Sequence, residues 1–425
     1  MPKIVILGGG FGGLTAALGL EKKLRGSNVS ISLIDRENYH LFNSNLYEVA
    51  TAAEELENIT DLKKSIGLPF AKIFKGKRVH FLQGEVKAVD PLNKIVSLPG
   101  KKLEYDYLIV ALGSKEEYFN IPGAKDYGIP LKNLSNALKI KNAIEFAVER
   151  HKFDAQKKYA RIIIAGGGYT GVELAGELRG LVNFLSWKYQ YPNQKIEIGL
   201  IEAANTLMPG MGERATNDAV RRLQELGVGV KVLSPIIKAT QNTLELSTGE
   251  RVVYDVLIWT AGVKAKAFPQ GLDLQINERG RAEVDEFLRA RGQDNIFILG
   301  DQAAVFKRNP DAWVPTQRSG QVGAGGRLVP QSAQDAIHQG RYLSYALPLL
   351  IKNRKPRVYK PKNHGFIVSV GGKWAILNNP PFYFKGRFAY FIHELAHVRY
   401  FASLLGLWKA VKLVWFQDRL YGRND

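Results

Sequence analysis

Lys3-Ile4-Val5-Ile6-Leu7-Gly8-Gly9-Gly10-Phe11-Gly12-Gly13 decides the fold. The first five residues are a short, mostly apolar run rich in β-branched residues, which predicts a strand. A helical pattern with Leu14, Leu18 and Leu20 follows the glycines. Gly8, Gly10 and Gly13 fit G-x-G-x-x-G. The first glycine makes the turn, the second lets backbone approach a pyrophosphate, and the third lets helix pack on strand. Phe11 and Gly12 open the helix, whose N-terminus stabilises phosphate charge. A second strand, Val29-Ser30-Ile31-Ser32-Leu33-Ile34, ends at Asp35, 22 residues after Gly13. A carboxylate there accepts from a ribose hydroxyl. Strand, turn, helix and acid together predict a dinucleotide site; a glycine-rich turn in an ordinary α/β core is the alternative.

The pattern recurs. Arg161-Ile162-Ile163-Ile164-Ala165 leads into Gly166-Gly167-Gly168-Tyr169-Thr170-Gly171, and the strand Ile196 to Ile201 ends at Glu202. The spacing from Gly171 is 31 residues, and the insert Phe184 to Pro192 accounts for the excess. An acid at Glu202 accepts from a 2′-hydroxyl and repels a 2′-phosphate, so this site is expected to prefer NAD over NADP. Tyr105 to Val110, closing at Ala111-Leu112-Gly113, pairs likewise with Tyr254 to Trp259, closing at Thr260-Ala261-Gly262. Two such sites in one chain suggest a hydride relay, in which one dinucleotide, as NADH, delivers and the other, a flavin, receives. The fold class is α/β, with two Rossmann-like dinucleotide-binding domains (FAD and NAD) and a C-terminal amphipathic helical segment.

The 425 residues are 45% hydrophobic and 23% charged, an ordinary globular composition that excludes disorder, collagen and coiled coil. The chain has no cysteine, which removes disulfides, thiolate metal sites and thiol nucleophiles. Met1-Pro2-Lys3 runs straight into a strand, so no secretory leader is expected. The net charge of +19 favours anionic partners.

These residues resemble the two-dinucleotide-fold flavoproteins, the pyridine nucleotide-disulfide oxidoreductase-like superfamily. Within it they are most similar to type II NADH dehydrogenases, the single-chain NADH:quinone oxidoreductases. Besides the glycines, the resemblance is carried by Asp35-Arg36-Glu37-Asn38-Tyr39-His40-Leu41-Phe42 and Leu46-Tyr47-Glu48-Val49-Ala50-Thr51. Thr170 to Leu178, Trp259-Thr260-Ala261-Gly262-Val263 and Ile296-Phe297-Ile298-Leu299-Gly300-Asp301 extend it over nearly the whole chain. It implies an FAD-binding domain of 1–115 and 263–352, an NADH-binding domain of 116–262, and a hairpin with membrane-associating helices over 353–425. It places Asp301 on the flavin ribityl chain, with capping of a following helix as the alternative. It sets Val86 against the adenine, and Arg36, Ala111, Gly113 and Gly262 in the cofactor turns. Glu173 resembles the acid beside the nicotinamide–flavin junction; the alternative is an acid favoured by the dipole in a first helical turn.

The family's A-Q-x-A-x-Q becomes Ala333-Gln334-Asp335-Ala336-Ile337-His338 here. The resemblance therefore puts Gln334 and His338 at the quinone, where an imidazole can exchange hydrogen bonds or a proton. Leu112 stands where the family has Thr, and Asn43-Ser44-Asn45 lacks the usual Pro. Lys307 to Pro330 reads as a long polar loop.

Residues 352–425 carry 14 Lys and Arg against 3 Asp and Glu, so +11 of the charge lies in the last 74 residues. Phe366 to Val370 and Lys373 to Leu377 read as a hairpin, and Pro380-Pro381 breaks the chain. Helical patterns follow from Phe388 to Phe401 and Leu404 to Tyr421. Phe391, Phe401, Leu404, Leu405, Leu407, Trp408, Trp415 and Phe416 form an apolar face beside Lys409, Lys412 and Arg419. Aromatic and basic residues on amphipathic helices suit an anionic membrane surface, over 388–421; a dimerisation or core-packing pair is the alternative. His393-Glu394-Leu395-Ala396-His397 matches the zincin H-E-x-x-H, but no third ligand follows. The pattern is therefore read as polar residues on the solvent side, and no metal is expected.

The expected activity passes hydride from NADH to flavin and on to a membrane quinone, at the cytoplasmic side of the cell membrane as a peripheral protein. The enzymatic alternative is a soluble NAD(P)H-dependent flavin reductase serving ferredoxin or rubredoxin. A flavoprotein that binds nucleic acid, like apoptosis-inducing factors, is the binding alternative. The wide aromatic face suits lipid better, so no nucleic acid is expected. A homodimer stays open.

Overall fold

The computed structural model describes residues 1–53, 59–153, 159–307, 327–362 and 365–421. In chain order the first-half elements used below are β1 (Lys3–Leu7), α1 (Phe11–Lys23), β2 (Ser30–Asp35), α2 (Leu46–Thr51), α3 (Ile59–Ile66), β3 (His80–Gln83), β4 (Tyr107–Val110), β5 (Ile129–Pro130), α4 (Leu134–Phe153), β6 (Ala160–Ala165), α5 (Tyr169–Tyr189) and β7 (Ile196–Ile201). The second half supplies β8 (Val228–Lys231), β9 (Val256–Trp259), β10 (Ile296–Ile298), α6 (Ala333–Ile351), β11 (Phe366–Ser369), β12 (Ala375–Asn379), β13 (Phe382–Gly386), α7 (Arg387–Leu405) and α8 (Leu407–Tyr421). They fall into two compact units. The first holds Met1–His40, Leu68–Lys115 and Val263–Asn363; the second holds Leu41–Gly67, Glu116–Gly262 and His364–Asp425.

The first unit is built on a parallel sheet in the order β10-β4-β1-β2-β3. Ile4, Ile6, Leu7, Leu33 and Ile109 are buried in it, as expected for a parallel sheet covered on both faces. Helices α1 and α6 pack closely. A Cβ added at Gly340 would stand 2.5 Å from the Gly12 carbonyl oxygen, so glycine there sets the approach.

The second unit repeats the order as β5-β9-β6-β7-β8, again parallel. Ile162, Ile164, Leu200 and Ile258 fill it. The edge strand beside the closing strand comes late in the first unit (β10) and early in the second (β5). The insert after Phe184 is mostly helix: α5 runs 21 residues where α1 runs 13.

Three expectations are corrected. Residues 41–67 group with the second unit, because α2 packs on α4 and α5 and α3 packs on α8. The C-terminal segment is no separate body either. β11 packs on α5, where a Cβ added at Gly176 would come 2.7 Å from Gly371 N. Residues before Asn363 stay with the first unit; Tyr359 N donates to the Glu286 carbonyl oxygen at 2.7 Å. Finally, Pro380-Pro381 does not end the sheet. The chain turns there and returns as β13, antiparallel to β12, because a turn needs no N–H from proline.

Among the described residues no helix is long and apolar enough to cross a membrane. Helices α7 and α8 nevertheless expose Phe388, Phe391, Leu395, Leu407, Trp408, Val411 and Trp415, with Trp408 80% exposed. Phe401 and Leu404, expected on that face, point inward, where Phe401 packs 4.7 Å from the ring of Phe42.

Candidate functional site

The first cradle follows from its glycines. Gly8 sits at φ 101°, and a Cβ there would lie 2.3 Å from the Ala111 carbonyl oxygen. A Cβ at Gly13 would lie 2.0 Å from the Gly8 carbonyl oxygen. At Gly10, by contrast, no described atom lies within 4 Å of that position. The turn is thus closed on its inner side and open where a pyrophosphate would approach. Asp35 closes it: Oδ2 accepts from Gly9 N at 2.6 Å and Oδ1 from Glu37 N at 2.9 Å. His40 Nδ1 donates to the Gly9 carbonyl oxygen at 2.9 Å, and the Phe11 ring meets the imidazole edge-on. His40 is fully buried, and burial pulls its pKa down to about 4. The imidazole is therefore neutral with its proton on Nδ1. Val86 is half-buried after β3, and Arg36 is exposed and offers its carbonyl oxygen to Gln83 Nε2 at 3.0 Å.

Asp301 lies in the short turn Gly300–Gln302 after β10. Ser114 Oγ donates to its Oδ2. Two buried glutamines fix the surrounding backbone. Gly300 N donates to Gln339 Oε1 at 2.6 Å, and Leu112 N donates to Gln302 Oε1 at 2.8 Å. The buried Arg281 guanidinium donates to the carbonyl oxygens of Ala303 and Val329, and burial lowers its pKa to about 10. Gly113 keeps φ 77° in the adjoining turn beside buried Ala111. Asp301 does not cap a following helix: the chain continues as Ala303–Ala304, and α6 takes its N-cap from Ser332. Gln302, Gln339, Arg281 and the His40 contact were missed in the sequence, since each acts on backbone far away along the chain.

The second cradle reproduces the first. Gly166 has φ 107°, and a Cβ at Gly171 would stand 1.9 Å from the Gly166 carbonyl oxygen. Gly168 again has no described atom within 4 Å of an added Cβ. Glu202 Oε2 accepts from Gly167 N at 2.6 Å, and Oε1 from Ala204 N at 2.7 Å. The Gly167 carbonyl oxygen accepts from Met208 N at 2.8 Å. Thr260 Oγ1 ties the closing strand to the carbonyl oxygens of Ala165 and Gly166. Tyr169 stacks on Phe366 at 5.0 Å, Thr170 is exposed, and Gly262 packs under Phe119.

Glu173 is the fifth residue of α5, beyond the first turn, so the helix dipole is a weak reason for an acid there. Burial and neighbouring Glu177 push its carboxyl well above the ordinary range. The buried Tyr47 hydroxyl has no hydrogen-bond partner among the described residues, and it feels Glu48, Glu173 and Glu177. In the first unit, Gln334 and His338 stand one turn apart on α6. Gln334 is exposed; His338 is half-buried, with Nδ1 3.0 Å from the Tyr359 hydroxyl. Most of the loop read over 307–330 lies outside the described residues.

His393 and His397 do not face solvent. They are 6% and 7% exposed, on the inward stripe of α7 with Ala389, Phe401 and Leu404, while Phe391 and Leu395 face out. Neighbouring rings explain this: Phe42 meets His397 edge-on at 5.1 Å.

A model of the pyridine nucleotide-disulphide oxidoreductase family matches residues 2–340. Type II NADH:quinone oxidoreductase of Staphylococcus aureus is 27% identical over 421 residues, 96% of this chain and 98% of that one. That of Staphylococcus haemolyticus is 27% identical over 377 residues, 87% of each chain. Among solved structures, NDH2 from Plasmodium falciparum in complex with NADH shares the fold, with a TM-score of 0.83, 22% identity and 99% of each chain covered. The sulfide:quinone oxidoreductase of Aquifex aeolicus aligns with a TM-score of 0.73 at 18% identity, over 97% of this chain and 92% of that one.

Proposed function

Because the chain belongs to the pyridine nucleotide-disulphide oxidoreductase family, we propose that it is a type II NADH:quinone oxidoreductase that uses FAD at a membrane surface. What carries the reading is a dinucleotide cradle built twice in a cysteine-free chain that is similar over 96% of its length to a relative of that name. Disulfide chemistry is excluded by composition, so the electrons need another acceptor.

The open face at Gly10, with Asp35 and the Asp301 turn, fits FAD; the open face at Gly168, with Glu202, fits NADH. Bound FAD supplies two-electron chemistry that accepts hydride and passes electrons on. The residues supply binding, orientation and protons. Gly8–Gly13 and Gly166–Gly171 place a pyrophosphate at the N-termini of α1 and α5. Gln302 and Gln339 hold the backbone of the Asp301 and Leu112 turns rigid. Glu173, whose carboxyl burial and Glu177 push well above the ordinary range, offers a proton to the acceptor. Gln334 and His338 offer hydrogen bonds to a quinone carbonyl. The exposed rings of α7 and α8, with Lys409, Lys412 and Arg419, lay the chain on the cytoplasmic face of an anionic membrane, where quinone dissolves.

The test is an anaerobic titration of the FAD-loaded protein in anionic liposomes. NADH should bleach the flavin and a short-chain quinone should restore it; in Glu173→Gln the restoration should slow. Bleaching by NADH without recovery on quinone addition would move the function to a soluble acceptor.

A further inference from the structure

We propose that His393, Glu394 and His397 of α7 form a binding site for a divalent cation of the zinc class. The reading of function leaves this H-E-x-x-H unused. At about 100° per residue, positions 393, 394 and 397 fall within one sector of the helix. Their ligand atoms lie within 4.8 Å of one another. Glu394 Oε1 stands 3.2 Å from His393 Nδ1 and 3.6 Å from His397 Nδ1. A tetrahedral ion with bonds of about 2.0–2.1 Å needs ligand atoms about 3.4 Å apart. Two edges of the polyhedron are therefore already in place.

Burial supports the site independently. His397 Nδ1 is buried without a hydrogen-bond partner among the described residues. The Phe42 edge and the His393 ring, 4.3 Å from His397, restrain its orientation. Glu394 also lines a small cavity with Asn45 and Gln417. Asn45 Oδ1 and Gln417 Oε1 are buried acceptors that lack a donor among the described residues. A water completing the coordination of a three-ligand ion is a donor of the kind they lack.

The donor set selects the ion. Two imidazole nitrogens and one carboxylate suit Zn²⁺, whereas Mg²⁺ and Ca²⁺ want oxygen. It also separates this site from zincin hydrolases, in which the Glu is the general base. Here Glu394 Oε1 faces both imidazoles and acts as a ligand. The ion would tie two turns of α7 beneath the outward Phe388, Phe391 and Leu395.

The test titrates zinc chloride into chelator-treated, FAD-loaded full-length protein by calorimetry, with a thermal melt in parallel. Wild type should take up one equivalent at about micromolar affinity or tighter, with a raised Tm, and should ignore magnesium. His393→Ala and His397→Ala should each weaken binding at least tenfold and lose the Tm shift, with the flavin spectrum as the check on folding. Failure of wild type to bind zinc, or unchanged affinity in the folded variants, would overturn the site. Should the alanine variants not fold, Co²⁺ added to wild type decides. Intense tetrahedral d–d bands beyond the flavin absorption support the site, and weak octahedral bands alone refute it.

Discussion

In the first unit the N–H of Gly9 goes to Asp35 and its carbonyl accepts from the imidazole of His40; in the second, the N–H of Gly167 goes to Glu202 and its carbonyl accepts from the backbone of Met208. The acid is held alike in both places, at 2.6 Å from the middle glycine N–H. The carbonyl is not. The first hold is imposed by a turn whose polar groups both need partners, while the second is met by whatever donor the local chain offers. A backbone amide does not titrate and an imidazole does, so the two cradles should respond differently to pH.

The largest effect is expected at the glycines that the two cradles share. Gly13→Ala and Gly171→Ala each drive a Cβ to within 2.0 Å of a backbone oxygen. Each should cost about 4 kcal/mol or more, because backbone cannot step aside, and chemical denaturation would measure it. A tolerated Gly171→Ala beside a ruinous Gly13→Ala would end the equivalence of the two turns.

A smaller effect sharpens the difference. Folded His40 refuses a proton until about pH 4, whereas its ordinary pKa is 6.5. Between those values the unfolded chain binds the extra proton, so stability falls as pH drops through the window and levels off above it. The loss is on the order of 3 kcal/mol. Removing the ring in His40→Ala should cost about 2–4 kcal/mol at pH 7, from cavity and lost hydrogen bond. It should also flatten the slope of Tm against pH from 6.5 to 4. An unchanged slope would take His40 out of the account. The smallest effect belongs to the second acid alone. Glu202→Ala should lower the NADH-over-NADPH ratio of kcat/KM about tenfold, roughly 1.4 kcal/mol; an unchanged ratio would remove Glu202 from the ribose.

Both cradles were legible in the sequence because their chemistry is local. Strand, glycines and acid lie within about one βαβ length, and sterics at Gly8, Gly13, Gly166 and Gly171 demand those residues. The partners that complete them were not legible. Gln302 and Gln339 look like any polar residue until Leu112 and Gly300 are brought against them. His40 sat in a quoted motif, but nothing in its spacing points back to Gly9. The segment after it was assigned by continuity to the first unit, whereas Phe42 is committed to α7 and the second. The outward Phe391 of α7 was legible as part of an apolar face, but Phe401, Leu404, His393 and His397 turn inward, because the Phe42 ring packs against Phe401 and His397.

The central claim is that the two cradles take different nucleotides, and Gly10→Ala set beside Gly168→Ala tests it most directly. An added Cβ meets no described atom within 4 Å at either position, so both variants should fold while their cradles are obstructed. The measurement is the visible spectrum of each purified variant, before and after anaerobic NADH. The account predicts that Gly10→Ala loses its flavin, while Gly168→Ala keeps it and is reduced by NADH at least tenfold more slowly. Loss of flavin from Gly168→Ala, with flavin and fast reduction retained in Gly10→Ala, would contradict it.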